Sequence, residues 1–245
     1  MTGSRKLTKH HLFSQLRTVA ISDCVHYCGF RYGRGEFNPY ENYVIGLAQG
    51  APIEKLRGQF EHFLRHYRPR DLGEALGVKT EQSIPLWLLP WKSWRKLKQP
   101  GGWRDSLHDI IDIITHFSPL GIQRFRILEE YTWLEAAWRN IHTDGYRPDL
   151  HSHISVFELH DGTSSRYLVL DGNHRLSAMA ALGIRHVVVR QAWLSKARRD
   201  YSKFWPLVMT RHISHADACR VFDAYFDGNA SPCMTAQPAT IISDS

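Results

Sequence analysis

Cysteine is scarce in this chain: four among 245 residues, at positions 24, 28, 219 and 233. Two thiols close together and two far away do not make the framework of a disulfide-stapled secreted domain, so a reducing cytoplasm is the expected compartment. Cys24 and Cys28 would share one face of a helix, but no second close pair of ligands completes a zinc site. Long apolar runs are missing as well. The stretch Ile84-Pro-Leu-Trp-Leu-Leu-Pro-Trp91 spans eight residues, whereas a membrane-spanning helix needs about 20. The first 20 residues mix basic, polar and apolar types without the apolar segment of a secretory leader. With 43% hydrophobic and 22% charged residues, neither disorder nor coiled coil describes the whole. The length suits one large domain or two small ones.

Acidic residues are sparse in the front of the chain. The first 100 residues hold 16 Lys and Arg against 8 Asp and Glu, and the remainder 15 against 16, so the net charge of +7 belongs to the first hundred. A basic half suits an anionic partner such as nucleic acid, a membrane surface or a phosphorylated ligand. Scattered basic residues also simply solvate helix faces. No nucleic-acid recognition motif accompanies them.

The front half reads as mostly helical. Gly33-Arg34-Gly35 marks a flexible break. Asn38 can cap a helix that begins at Pro39. Pro52 can start a second, with Leu56, Phe60, Phe63 and Leu64 at helical spacing. A further short turn is expected over residues 71–77. Residues 83–102, rich in Trp and Pro, read as a packed connector, with a sugar-binding platform as the functional alternative. Residues 103–143 read as helix with a break at Ser118-Pro-Leu-Gly121, ending at Asp144-Gly145.

The period then changes. Ile154–Leu159 and Arg166–Leu170 read as strands joined by an Asp161-Gly162 hairpin turn, His186–Arg190 as a third strand, and Leu176–Leu182 as a helix. Ser214 with Asp217 forms a capping box for a last helix. Residues 229–245 read as a disordered tail. The expected architecture is α+β: a helical, basic region 1–120 packed on a small mixed-sheet domain 121–228.

One segment carries chemistry. Asp171-Gly172-Asn173-His174-Arg175 lies between a strand and a helix. Gly172 permits a tight turn and close approach of a ligand to the backbone. The helix start offers free N–H groups and the positive end of a dipole to an anion. Arg175 can fork onto phosphate oxygens and His174 can donate another hydrogen bond. Asp171 is placed to bind a metal ion or accept a proton. The alternative is that Asp171 and Asn173 cap the helix while Arg175 pairs with a surface carboxylate. His151 and His153 would point the same way on a strand but lack a third metal ligand.

The run from Ile141 to Arg190 resembles the ParB/sulfiredoxin superfamily in the order of its parts: Gly145-Tyr-Arg-Pro148, the hairpin, the motif turn and its helix through Gly183, and the following strand. The resemblance implies that Gly172, Asn173, His174 and Arg175 contact the phosphates of a nucleotide. Sulfiredoxins carry a catalytic cysteine where this chain has Asn173, which argues against sulfinic acid reduction. Chromosome-partitioning ParB proteins carry a Gly-Glu-Arg-Arg type motif, bind CTP and continue into a helix-turn-helix domain, for which about 50 residues with one convincing helix leave little room. The motif is most similar to the Asp-Gly-His-His-Arg of free serine kinases of this fold, in which the acid and an upstream Glu serve catalysis. By that likeness Asp171 and Glu130 are the catalytic candidates, Glu130 being preferred to Glu129 and Glu135, and Asp171 is the candidate ligand for Mg2+. The flanks, including Phe204-Trp205-Pro206, are similar to ParB-like proteins associated with bacterial surface-polysaccharide synthesis. The expected function is therefore binding of a nucleoside triphosphate or diphosphate, ATP first, with phosphoryl transfer to a small hydroxyl compound or sugar, or hydrolysis as a nucleotidase. A nucleotide-binding scaffold without turnover, or a ParB-like DNA-binding protein, is the alternative.

Overall fold

The computed structural model describes residues 14–33, 37–86, 88–92 and 124–227. Five strands, β1 (Ser14–Ala20), β2 (Cys24–Val25), β3 (Ile154–His160), β4 (Ser165–Asp171) and β5 (His186–Arg198), form one sheet in the order β1-β5-β3-β4-β2. The sheet is mixed. β3 pairs antiparallel with β4 and parallel with β5, β1 runs antiparallel to β5, and β2 parallel to β4. Among the described residues eight α-helices accompany it: α1 (Pro39–Ala48), α2 (Ile53–His66), α3 (Leu72–Leu76), α4 (Arg124–Asp144), α5 (Pro148–His151), α6 (Asn173–Ala181), α7 (Pro206–Met209) and α8 (His215–Asp227). The chain is α+β.

Alternation along the strands sends side chains to two cores. Tyr167 and Val169 join Val156 and Val189 under α1, α2, α4 and α6, in a cluster with Tyr40, Phe60, Leu134 and Leu176. Leu168, between them in β4, joins Leu159 in a second cluster with Leu72 of α3 and Val221, Phe222 and Tyr225 of α8.

Local chemistry explains the helix boundaries. Asn38 Oδ1 accepts hydrogen bonds from the N–H groups of Tyr40 and Glu41 at 3.1 and 3.2 Å, with Pro39 in the first turn of α1. Leu56, Phe60 and Leu64 are the buried stripe of α2. Asp71 caps α3 at Glu74 N, and Gly77 ends it in the left-handed region. In the β3–β4 hairpin, the Asp161 carboxylate accepts from the N–H groups of Thr163 and Ser164 at 2.7 Å, closing the turn.

Several expectations need correction. The sheet is not confined to the second half of the chain: both of its edge strands come from before residue 26. β1 pairs with β5 from Ser14↔Ala192 to Ala20↔His186, so the front region is part of the sheet as well as its helical cover. Cys24 and Cys28 share no helix. Cys24 opens β2, Cys28 follows in a turn, and both are buried free thiols that burial pushes far above the usual range. The capping box of α8 is half made: Ser214 Oγ accepts from Asp217 N at 3.0 Å, but the Asp217 carboxylate reaches Glu81 and Gln82 instead. Trp91 is 8% exposed and packs on Trp205 and Phe222 at 5.3 and 5.6 Å between ring centroids, which makes it core and not a sugar platform. Trp87, Trp94, Trp103, the expected helix over 103–117 and the tail 229–245 lie outside the described residues. No helix among the described residues is long and apolar enough to cross a membrane.

Candidate functional site

β4 ends at Asp171 and α6 begins at Asn173, so Gly172 must turn the chain in a single residue. Its φ is 96°, in the left-handed region. A Cβ there would come within 2.8 Å of Ile154 Cγ1 and 3.0 Å of the Arg175 guanidinium. Both the turn and the packing therefore require glycine. No side chain caps α6 at Gly172, and the first intrahelical bond runs from Leu176 N to Gly172 O at 2.9 Å. The N–H groups of Asn173, His174 and Arg175 precede it at the positive end of the helix dipole.

The side chains of the motif diverge. Arg175 donates through Nη1 to the carbonyls of His151 and Ser152 at 2.7 and 2.5 Å, and through Nη2 to Asp171 Oδ2 at 3.2 Å. Together Arg175 and Asp171 line a cavity of about 450 Å³, whose wall includes Asn140 and Ile141 of α4 and Tyr146 and Arg147 of the following turn. His174 points to α4 instead. Its Nε2 lies 2.8 Å from Glu130 Oε2, and Glu130 is 3% exposed. The imidazole meets the rings of Tyr40 and Trp133 edge-on, at centroid distances of 6.0 and 5.8 Å. Asn173 Oδ1 accepts a 2.7 Å hydrogen bond from the Tyr32 hydroxyl. Burial holds that phenol well above its ordinary pKa, so Tyr32 stays a neutral donor.

No family model, curated protein or solved structure matches the chain. The chemistry of the site is read from its own groups. The Arg175 guanidinium and the Asp171 carboxylate line the cavity, and a carboxylate–imidazole pair joins α4 to α6.

Of the residues expected at the site, Asp171 and Arg175 line the cavity, and Gly172 is the turn between them, packed against the Arg175 guanidinium. Asn173 and His174 turn their side chains to Tyr32 and Glu130 instead. Glu130 joins the motif through His174. Glu135 does not: its carboxylate is held by Arg57 and Tyr43 at 2.6–3.0 Å, and these hydrogen bonds outweigh burial to keep its pKa low. His151 and His153 do not sit together on a strand; His151 ends α5 and His153 precedes β3. Among the described residues no group of three His, Cys, Asp or Glu is placed to hold a metal. Asp171, 67% exposed at its side chain, offers a single carboxylate whose only hydrogen bond among the described residues is to Arg175. That donor set suits Mg2+, which takes one or two carboxylates and fills its shell with phosphate and water oxygens, and does not suit zinc.

Tyr32, Tyr40, Trp133 and the two carbonyls that hold Arg175 are not suggested by any local motif. Backbone carbonyls leave no trace in residue types, and the three aromatic residues come from other parts of the chain.

Proposed function

We propose that residues 171–175 bind the phosphate groups of a nucleotide, ATP foremost, and that the chain transfers a phosphoryl group to a small hydroxyl compound or sugar in the adjacent cavity. The observation that carries this reading is the uncapped start of α6 opening beside a cavity lined by Arg175 and Asp171. Phosphoryl transfer depends more on alignment and charge neutralisation than on covalent help from the protein. The backbone N–H groups and Arg175 supply donors and positive charge. The carbonyls of His151 and Ser152 fix the guanidinium, so little ordering remains to be done on binding. Asp171 has one oxygen on Arg175 and the other available to hold Mg2+ against the phosphates or to take the proton of the acceptor hydroxyl. Mg2+ would neutralise charge on the transferred group. Glu130 orients the His174 imidazole through the 2.8 Å contact at Nε2. Glu130 is thereby a positioning residue.

The likeness to the ParB/sulfiredoxin superfamily, and to its free serine kinases in the Asp-Gly-Asn-His-Arg motif, supports the same reading. A place in bacterial surface-polysaccharide synthesis rests on the likeness of the flanks alone. Asp171→Asn is expected to lower ATP turnover at least a hundredfold while shifting the thermal midpoint by no more than about 2 °C, because the side chain is largely exposed. Unchanged turnover would remove Asp171 from the chemistry.

One observation favours a second reading, binding without turnover. The ion pair between Asp171 and Arg175 is also what a purely structural acid would make. Prolonged incubation of ATP and Mg2+ with the protein and candidate acceptors, followed by chromatography, separates the two. ADP formation supports transfer or hydrolysis, and bound but unaltered ATP supports a nucleotide-binding module.

A further inference from the structure

We infer that Trp133 is the surface on which the nucleotide base stacks, making it the residue by which the site prefers a nucleotide to a bare polyphosphate. This rests on the phosphate-binding reading above. Trp133 belongs to one stripe of α4. At steps of three and four residues the helix presents Glu130, Trp133, Ala137, Ile141 and Asp144 on one side. The later members of that stripe line the cavity beside Arg175, and its first member, Glu130, holds His174. Trp133 sits between them.

Its environment is unlike that of the core indoles. Trp91 and Trp205 are 8% and 5% exposed, whereas Trp133 is 46% exposed. Its ring lies 5.8 Å from the His174 ring at an interplanar angle of 63°, so the imidazole does not cover it face to face. His174 contributes one of the backbone N–H groups of the phosphate cradle, which places the indole one side chain away from that cradle. The other ring against His174, Tyr40, is less available: it is 4% exposed. An open indole beside a phosphate-binding helix start can take any base, since every base presents a π-face.

The test compares ATP with inorganic tripolyphosphate, both with Mg2+, by calorimetry on the full chain. Trp133→Ala is expected to weaken ATP about tenfold and to leave tripolyphosphate unchanged, while Trp133→Phe keeps most of the ATP affinity. Equal weakening of both ligands would overturn the inference, because Trp133 would then act by supporting His174. No weakening of either would overturn it too, and would place the base in the cavity. If the wild-type protein binds neither ligand, the phosphate-binding reading itself fails and this one falls with it. The thermal midpoint of each variant shows that it is folded.

Discussion

Glu158 is a charged group at 4% exposure in the middle of the sheet, and its neighbours account for every part of it. Oε2 accepts from Arg17 and Gln191 and Oε1 from Lys196 and Ser165, all at 2.9–3.0 Å. Burial alone would raise its pKa. The hydrogen bonds from Gln191, Lys196 and Ser165, with the Lys196 charge, outweigh burial and hold it at about 2. A carboxylate depressed in the folded state stabilises the fold above its unfolded pKa, and that contribution is lost as pH falls through the folded value. Glu158→Gln is therefore expected to cost about 2 kcal/mol at neutral pH, and the gap from wild type should narrow below pH 4.5. Urea midpoints measured from pH 7 to pH 3 check this. A gap that stays constant over that range would show that the charge of Glu158 is not what stabilises the sheet. Asp171 makes the contrast: an acid at a strand end with one partner and most of its surface in solvent contributes little to folding, which leaves it free for a ligand.

The last helix is tied to the front of the chain by another acid. Asp217 of α8 is fully buried, accepts from the N–H groups of Glu81 and Gln82 at 3.1–3.3 Å, and pairs with Arg220 at 2.6 Å. Asp217→Ala leaves two backbone donors without their acceptor, and a loss of about 1–3 kcal/mol is expected. Asp217→Asn should recover part of it, since an amide oxygen still accepts. If hydrogen exchange at Glu81 and Gln82 is no faster in the alanine variant, the carboxylate does not hold that loop. This contact also marks where sequence reasoning stops. Ser214 and Asp217 are legible as a helix start because the spacing is local, but nothing in that spacing says that the acid turns to a loop 136 residues earlier. The same limit applies elsewhere. The hairpin, the Gly172 turn and the Asn38 cap were readable because each depends on a few consecutive residues. β2 has two residues and therefore no period to read, and in β1 only Val19 is buried, so neither edge strand carries an alternation of its own. At the site, the contiguous motif was legible. What the sequence does not show is how α4 packs on α6, which points Glu130 at His174 and leaves Glu135 to Arg57.

Segments far apart in sequence meet at the start of α6. Tyr32 comes from the front of the chain, Glu130 from α4, and the carbonyls of His151 and Ser152 from the approach to β3. A ligand bound there joins three distant segments packed around the first core, so its binding should appear as stability of the molecule. At a hundred times its dissociation constant a ligand adds about 2.7 kcal/mol, and in a chain of this size that raises the thermal midpoint by about 5–10 °C. ATP, ADP, CTP and GTP with and without Mg2+ form the screen, and ATP with Mg2+ is expected to give the largest rise. Arg175→Ala will lower the midpoint of the unliganded protein, because the guanidinium also holds two carbonyls, so the quantity to read is the rise on adding ligand. That rise should fall to less than half of its wild-type value. The excess of basic residues in the first 100 offers a competing explanation, diffuse attraction of any polyanion. Diffuse binding would decline steeply with salt and would be the same in both proteins. An equal rise in wild type and Arg175→Ala would therefore place the nucleotide on the basic surface, whereas a rise that depends on Arg175 and survives added salt places it at the start of α6.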